Sequence, residues 1–226
     1  MTTPQIDPGS TASLSEPRAT SFMDWFHVNS RWVAVGGVAV VLAAGVAWYV
    51  PQQRRMKNEN ADKQLLTARQ SLLSGNTQLA ESDLRKVADR YAGTPAGTEA
   101  GTLYAQLKLE RGDAAGAVTY LQQLTSQVGT GPSAAATRGL LGDALSQTGK
   151  TAEAAAEYEK AAGSSTMANE KIVLMSKAAH AFLASGSKPA DARRIFEALA
   201  SQQESAALAA EARVRLGELA ATAARS

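Results

Sequence analysis

RGLLGDALSQTGKTAEAAAEYEKAA, residues 138–162, divides at Gly149 into two helical halves. Ahead of the glycine stand Leu141, Gly142 and Leu145; behind it come Ala154, Tyr158 and Ala161. The second set falls at i, i+4 and i+7, which is one apolar face of a helix. Small residues stand where two helices must approach closely, and large ones where the gap needs filling. A glycine just past the first helix can take the left-handed conformation that ends it. The segment therefore predicts a helix–turn–helix hairpin.

The same pattern recurs along the chain. Turns of one kind open at Ser74 (SGNTQLAESDL), Arg111 (RGDAAGAVTYL), Thr148 (TGKTAEAAAEY) and Ser185 (SGSKPADARRIF). Their aligned alanines are Ala80, Ala117, Ala154 and Ala192, spaced by 37, 37 and 38 residues. Four residues after each comes Leu84, Leu121, Tyr158 or Phe196, and three further on Val87, Leu124, Ala161 or Leu199. Ahead of the turns, Tyr104 and Ala105, or Ala178, Ala179 and Phe182, fill the slots of the first helix.

A helix–turn–helix unit with Leu-Gly in the first helix and Ala…Phe…Ala in the second resembles the tetratricopeptide repeat, whose usual length is 34 residues. Residues 138–162 match best, and the first and fourth units are degenerate. The extra length fits the turns AGTPAGTE and VGTGPSAA between units. Residues 205–224 repeat the first-helix pattern with Leu216-Gly217 and then stop, as a closing helix that covers the last apolar face would. The alternative is an alanine-rich helical bundle with accidental periodicity. The expected fold is all-α: one transmembrane helix, then a tetratricopeptide-like solenoid of four hairpins and a closing helix over residues 52–226.

The anchor is read from residues 32–50, which are 19 residues without a charge. As a helix they would rise about 28 Å, close to the thickness of a bilayer's hydrocarbon core. Trp25, Phe26 and Trp32 cluster before or at the start, and Trp48 and Tyr49 at the finish, where amphipathic rings settle at a lipid–water interface. Pro51 is expected to end or kink the helix. Arg54, Arg55 and Lys57 follow and suit lipid headgroups. Ala39, Ala43 and Ala47 recur every fourth residue, a spacing that lets another membrane helix approach. A cleaved signal peptide and a soluble core helix are the alternatives; the long polar lead-in, the length of the run and the bulky rings near Gly45-Val46-Ala47 speak against them. Residues 1–21 are rich in Pro, Ser and Thr and predict a disordered tail; residues 22–51 hold the interfacial segment and the span.

Composition excludes several classes. The 226 residues carry a net charge of +2 and no cysteine, so disulfides, thiolate metal sites and a cysteine nucleophile are out. No basic block calls for nucleic acid. The two histidines, His27 and His180, have no carboxylate at metal spacing, and no phosphate loop, GxSxG or HExxH occurs. No cofactor, metal or small-molecule substrate is expected, and the protein is read as a non-enzyme, the alternative being an enzyme with an unrecognised site in its groove.

The repeat resemblance implies a groove for a partner chain, lined by the first helices. Its slots would be Glu99, Thr102 and Gln106, then Asp143 and Ser146, then Ser176 and His180. This set lacks the basic cluster with which some such domains clamp a peptide's terminal carboxylate. The whole layout, from MDWFHVNSRWVAVGGVAVVLAAGVAWYV at residues 23–50 onward, is similar to the YfgM-type ancillary subunits of the SecYEG translocon. That resemblance implies an inner-membrane protein with a periplasmic repeat domain, partnered by translocon subunits and a chaperone, and assisting the folding of secreted proteins. The basic flank Arg54, Arg55 and Lys57 points the other way, to a cytoplasmic domain. The layout would equally serve an accessory subunit of another large membrane assembly, respiratory or photosynthetic, held mainly by its span.

Overall fold

A computed structural model describes residues 30–186, 188–202 and 205–224, and the side chains of all of these but 30–34, 37 and 223. The tail of residues 1–21, Trp25, Phe26 and the side chain of Trp32 lie outside the described residues. Among the described residues there are nine helices: α1 Ser30–Leu73, α2 Thr77–Arg90, α3 Pro95–Glu110, α4 Ala114–Gln127, α5 Pro132–Gln147, α6 Thr151–Ser164, α7 Ala168–Ser185, α8 Pro189–Ala200 and α9 Ala206–Ala223. The chain divides into two units, Met1–Arg54 and Arg55–Ser226.

In the first unit the described chain is helical, and every described side chain from Val35 to Val50 is exposed. Val35, Val38, Val40, Val41, Leu42 and Val46 are each 60–70% exposed. Ala39, Ala43 and Ala47 are exposed too, as are Trp48 and Tyr49. Among the described residues no helix is long and apolar enough to cross a membrane. The expected ending at Pro51 is corrected: Pro51 lies inside α1. An interior proline removes one backbone N–H and crowds the carbonyl four residues back, but all its described neighbours here are exposed, so water can satisfy the freed group.

In the second unit, residues 55–73 of α1 and α2 form the first hairpin, α3/α4 the second, α5/α6 the third and α7/α8 the fourth, with α9 closing the row. From α2 onward the substantial packing joins elements adjacent in chain order, plus α3 with α5, while Ala61, Leu65 and Ala68 of α1 share a core cluster with Leu84 and Val87 of α2. The turn within each hairpin is built one way. Gly75, Gly112, Gly149 and Gly186 have φ of 78°, 80°, 77° and 62°, the left-handed region that glycine enters without strain. In the first three turns the next residue's N–H reaches back five residues: Asn76 to Ser71, Asp113 to Lys108 and Lys150 to Leu145, at 3.1, 2.8 and 2.9 Å. This double closure satisfies carbonyls that the helix end would otherwise leave open. Asn76 and Asp113 then cap the following helix, their side chains accepting from the backbone N–H groups of Leu79 and Gly116.

The four register alanines are the fourth residues of α2, α4, α6 and α8, and Ala80, Ala117, Ala154 and Ala192 are each 0% exposed. The large partners Leu84, Leu121, Tyr158 and Phe196 are buried, as are Val87, Leu124, Ala161 and Leu199. One expectation from helix rotation is corrected. Turning about 100° from Ala154 to Ala155 predicts an exposed side chain, yet Ala155 is also 0% exposed. Helix α6 packs on both α5 and α7, so its buried arc is wider than one hairpin requires.

The first helix shows why position 142 holds glycine. A Cβ there would lie 2.5 Å from Tyr158 Cε1 and 2.6 Å from its Cδ1. The ring is buried and its hydroxyl donates to Asp143 Oδ1 at 2.6 Å, so moving it aside disturbs both its burial and that bond. Gly142→Ala gains roughly 1 kcal/mol of helix propensity and loses about 1–3 kcal/mol to overpacking. The expected net is a destabilisation of about 1 kcal/mol, read from the urea midpoint of Arg55–Ser226; an unchanged or raised midpoint would show that the ring moves freely.

Candidate partner-binding groove

The first helices α3, α5 and α7 follow one another along one side of the second unit, and side-chain contacts between neighbouring helices tie them together. Thr102 Oγ1 and Thr137 Oγ1 stand 3.2 Å apart, α3 to α5, and Lys177 Nζ donates to Asp143 Oδ1 at 2.7 Å, α7 to α5. The partners lie 35 and 34 residues apart, about one repeat. The second helices repeat the device, Arg194 on α8 donating to Glu159 on α6 at 2.6 Å, 35 residues away.

Three open hollows run along the first helices. The first, about 340 Å³, is lined by Thr98, Glu99 and Thr102 with Pro132 and Ser133. The second, about 600 Å³, is lined by Gln106, Glu110, Asp143, Ser146 and Gln147 with Tyr158. The third, about 330 Å³, takes Ser146, Tyr158, Ser176, Lys177 and His180. All seven groove positions expected from the repeat pattern therefore line this row: Glu99 and Thr102 in the first hollow, Gln106, Asp143 and Ser146 in the second, Ser146 again with Ser176 and His180 in the third. Ser146 and Tyr158 line both the second and the third hollow, which are neighbours.

Glu110, Gln147, Tyr158 and Lys177 line the row as well, beyond the seven. Glu110 and Gln147 lie four residues after Gln106 and Asp143, one turn further along the same helix face, so the spacing carries them too. Tyr158 has no such signal: it belongs to a second helix and reaches the row through the gap above Gly142.

Ion pairs neutralise most of the row. Arg69 pairs with Glu99, Lys177 with Asp143, and His180 Nε2 lies 3.0 Å from Glu211 Oε1 on the closing helix. The His180 ring also meets Phe196 edge to face, with centroids 5.4 Å apart. Burial, and then its hydrogen bond to Asp143, push the Tyr158 phenol well above its usual range, so it stays a protonated donor. Burial likewise pushes the Tyr120 phenol up to about 12. Among the described residues no group of acidic or histidine side chains could hold a metal ion. The arrangement offers hydroxyls, amides and paired charges, which suit hydrogen bonding to another polypeptide.

At the turn beside this row, the Lys108 ammonium and then the Gly116 N–H hold the Asp113 carboxyl below its ordinary value, and the Asp113 hydrogen bond raises Lys108. A lowered carboxylate adds stability that is present above its unfolded pKa and lost as pH falls through the folded one; a raised lysine adds stability present below its unfolded pKa and lost as pH rises through the folded one. Asp113→Asn should therefore lower the melting temperature at pH 7 and flatten its fall on acidification below about pH 4. Parallel wild-type and variant curves would remove Asp113 from that dependence.

Wider comparison agrees with the hairpin row. No curated protein matches the chain. Among solved structures, nearly identical TPR-like repeats of kinesin-light-chain type from Podosopora anserina superpose with a TM-score of 0.56 at 19% identity, over 74% of this chain and 89% of that one. A single-substitution form of those repeats superposes with a TM-score of 0.49 at 18% identity, over 92% of this chain and 96% of that one. The first of these likenesses concerns the fold alone. The family described as tetratricopeptide repeat-like domain matches residues 23–137, half of the sequence. With its left-handed glycine turns, buried register alanines and repeat-to-repeat ties, the chain belongs to the tetratricopeptide repeat-like domain family.

Proposed function

We propose that this protein is a single-pass membrane scaffold, an accessory subunit whose repeat domain holds other proteins and performs no catalysis. A repeat domain of this family is a protein-interaction scaffold, and the polar row of first-helix hollows is the surface to which we assign partners. The observation that carries the membrane reading is the first unit's apolar helix: Val35, Val38, Val40, Val41, Leu42 and Val46 are all at least 60% exposed. So much clustered aliphatic surface is unfavourable in water and is relieved by lipid or a neighbouring helix. The uncharged run of residues 32–50, the rings of Trp25, Phe26, Trp32, Trp48 and Tyr49, and the basic Arg54, Arg55 and Lys57 support the same reading. Ala39, Ala43 and Ala47 would be its helix-packing side.

The resemblance to YfgM-type translocon subunits favours a periplasmic repeat domain that assists secreted proteins, with translocon subunits and a chaperone as partners. Purification in a gentle detergent, with identification of the associated proteins, tests this. Recovery of translocon subunits supports it; a respiratory or photosynthetic complex retained by the isolated span would replace it with the structural-subunit reading. Protease added to spheroplasts should remove the repeat domain. Full protection until lysis would place that domain in the cytoplasm, as the basic flank predicts.

A further inference from the structure

The charges of the groove leave one carboxylate over. Glu99, Asp143 and His180 each have an oppositely charged or acidic partner. Glu110, the last residue of α3, has no cationic partner among the described residues; its Oε1 accepts the Gln106 amide at 3.1 Å. It stands on the wall of the second hollow, with Asp143 lining the same space. Asp143 Oδ1 receives both the Tyr158 hydroxyl and Lys177, and Lys177 neutralises one of the two carboxylates. The hollow is left with one uncompensated negative charge.

Its other lining is not that of an ion site. Leu109 and Leu140, both half-buried, form an apolar part of the wall, and Gln106, Ser146 and Gln147 supply hydrogen-bonding groups that accept as well as donate. An apolar wall beside a carboxylate matches the two halves of a long basic side chain, a methylene stem and a charged head. The volume of about 600 Å³ is ample for such a side chain with water. An acidic peptide or a nucleic-acid phosphate would instead meet the charge of Glu110 with repulsion.

We propose, on the reading of this row as a protein-binding surface, that the hollow between α3 and α5 receives an arginine or lysine side chain of the partner polypeptide, with Glu110 as counter-ion and Leu109 and Leu140 against the stem. The partner segment is thus basic at the point where it crosses the second hollow. A charge-assisted hydrogen bond there contributes specificity as well as affinity.

Three short fluorescent peptides, identical except for a central arginine, its neutral isostere citrulline, or glutamate, test this by anisotropy against the full chain in mild detergent. The arginine peptide should bind about tenfold more tightly than the citrulline one, with glutamate weakest, and the preference should shrink as salt rises. Glu110→Gln should bring the arginine-to-citrulline ratio close to one by weakening arginine binding more than citrulline binding. Glu197→Gln, on exposed α8 outside this hollow, should leave the ratio alone. A wild-type ratio near one, or a ratio that survives Glu110→Gln, overturns the proposal. Equal binding of all three peptides, abolished by Ser146→Arg, would sink the charge preference and leave the groove standing; no binding by any of them would sink both.

Discussion

Phe196→Ala should cost about 3–5 kcal/mol, a large share of what holds the fourth hairpin in place. The side chain is 1% exposed and sits in the main core cluster with Phe182, Ile195, Leu199 and Ala212. It occupies in the fourth hairpin the slot held by Leu84, Leu121 and Tyr158 in the others. Truncation removes the ring's transfer free energy and opens a cavity that α7, α8 and α9 all border. The edge-to-face contact with His180 goes too. Urea unfolding of Arg55–Ser226 gives the measurement. Because repeat arrays can unfold in parts, amide exchange should show protection lost first in α7–α9. A cost under about 1 kcal/mol would mean that the fourth hairpin collapses around the gap and that its degenerate sequence reflects loose packing.

Ala154→Leu should cost about 1–3 kcal/mol, since three extra carbons enter a site with no exposed surface. Ala155→Leu should cost as much. Its side chain is equally buried, and α6 has α5 on one side and α7 on the other. Lys160→Ala, exposed on the same helix, should stay within about 0.5 kcal/mol. Equal midpoints for Ala154→Leu and the wild type would displace the register that joins Ala80, Ala117, Ala154 and Ala192. A silent Ala155→Leu would instead mean that α6 and α7 can part locally at little cost.

The fate of Ala155 shows what the sequence could and could not convey. Periodicity reports the face that one helix turns to its hairpin partner, and all four register alanines and their large partners are buried as it predicts. It says less about the face turned to the next unit, because that burial depends on how hairpins stack. The groove divides likewise. Seven positions implied by the repeat resemblance line the hollows; Tyr158 arrives from the neighbouring helix, over Gly142, and that resemblance does not place it there. At Pro51 ending and kinking were both open, and α1 runs through it, since a proline's local preference is overruled wherever the lost hydrogen bond can be replaced by water.

The ties between neighbouring units, Thr102 with Thr137, Asp143 with Lys177 and Glu159 with Arg194, have a mechanical meaning. They are polar contacts between side chains, and each joins one unit to the next. They add to apolar seams between units, where α6 packs on α7 as closely as on α5. Pulled along its row, the chain should therefore resist at the joints between hairpins as it does inside them, and flex as one continuous rod rather than part coil by coil.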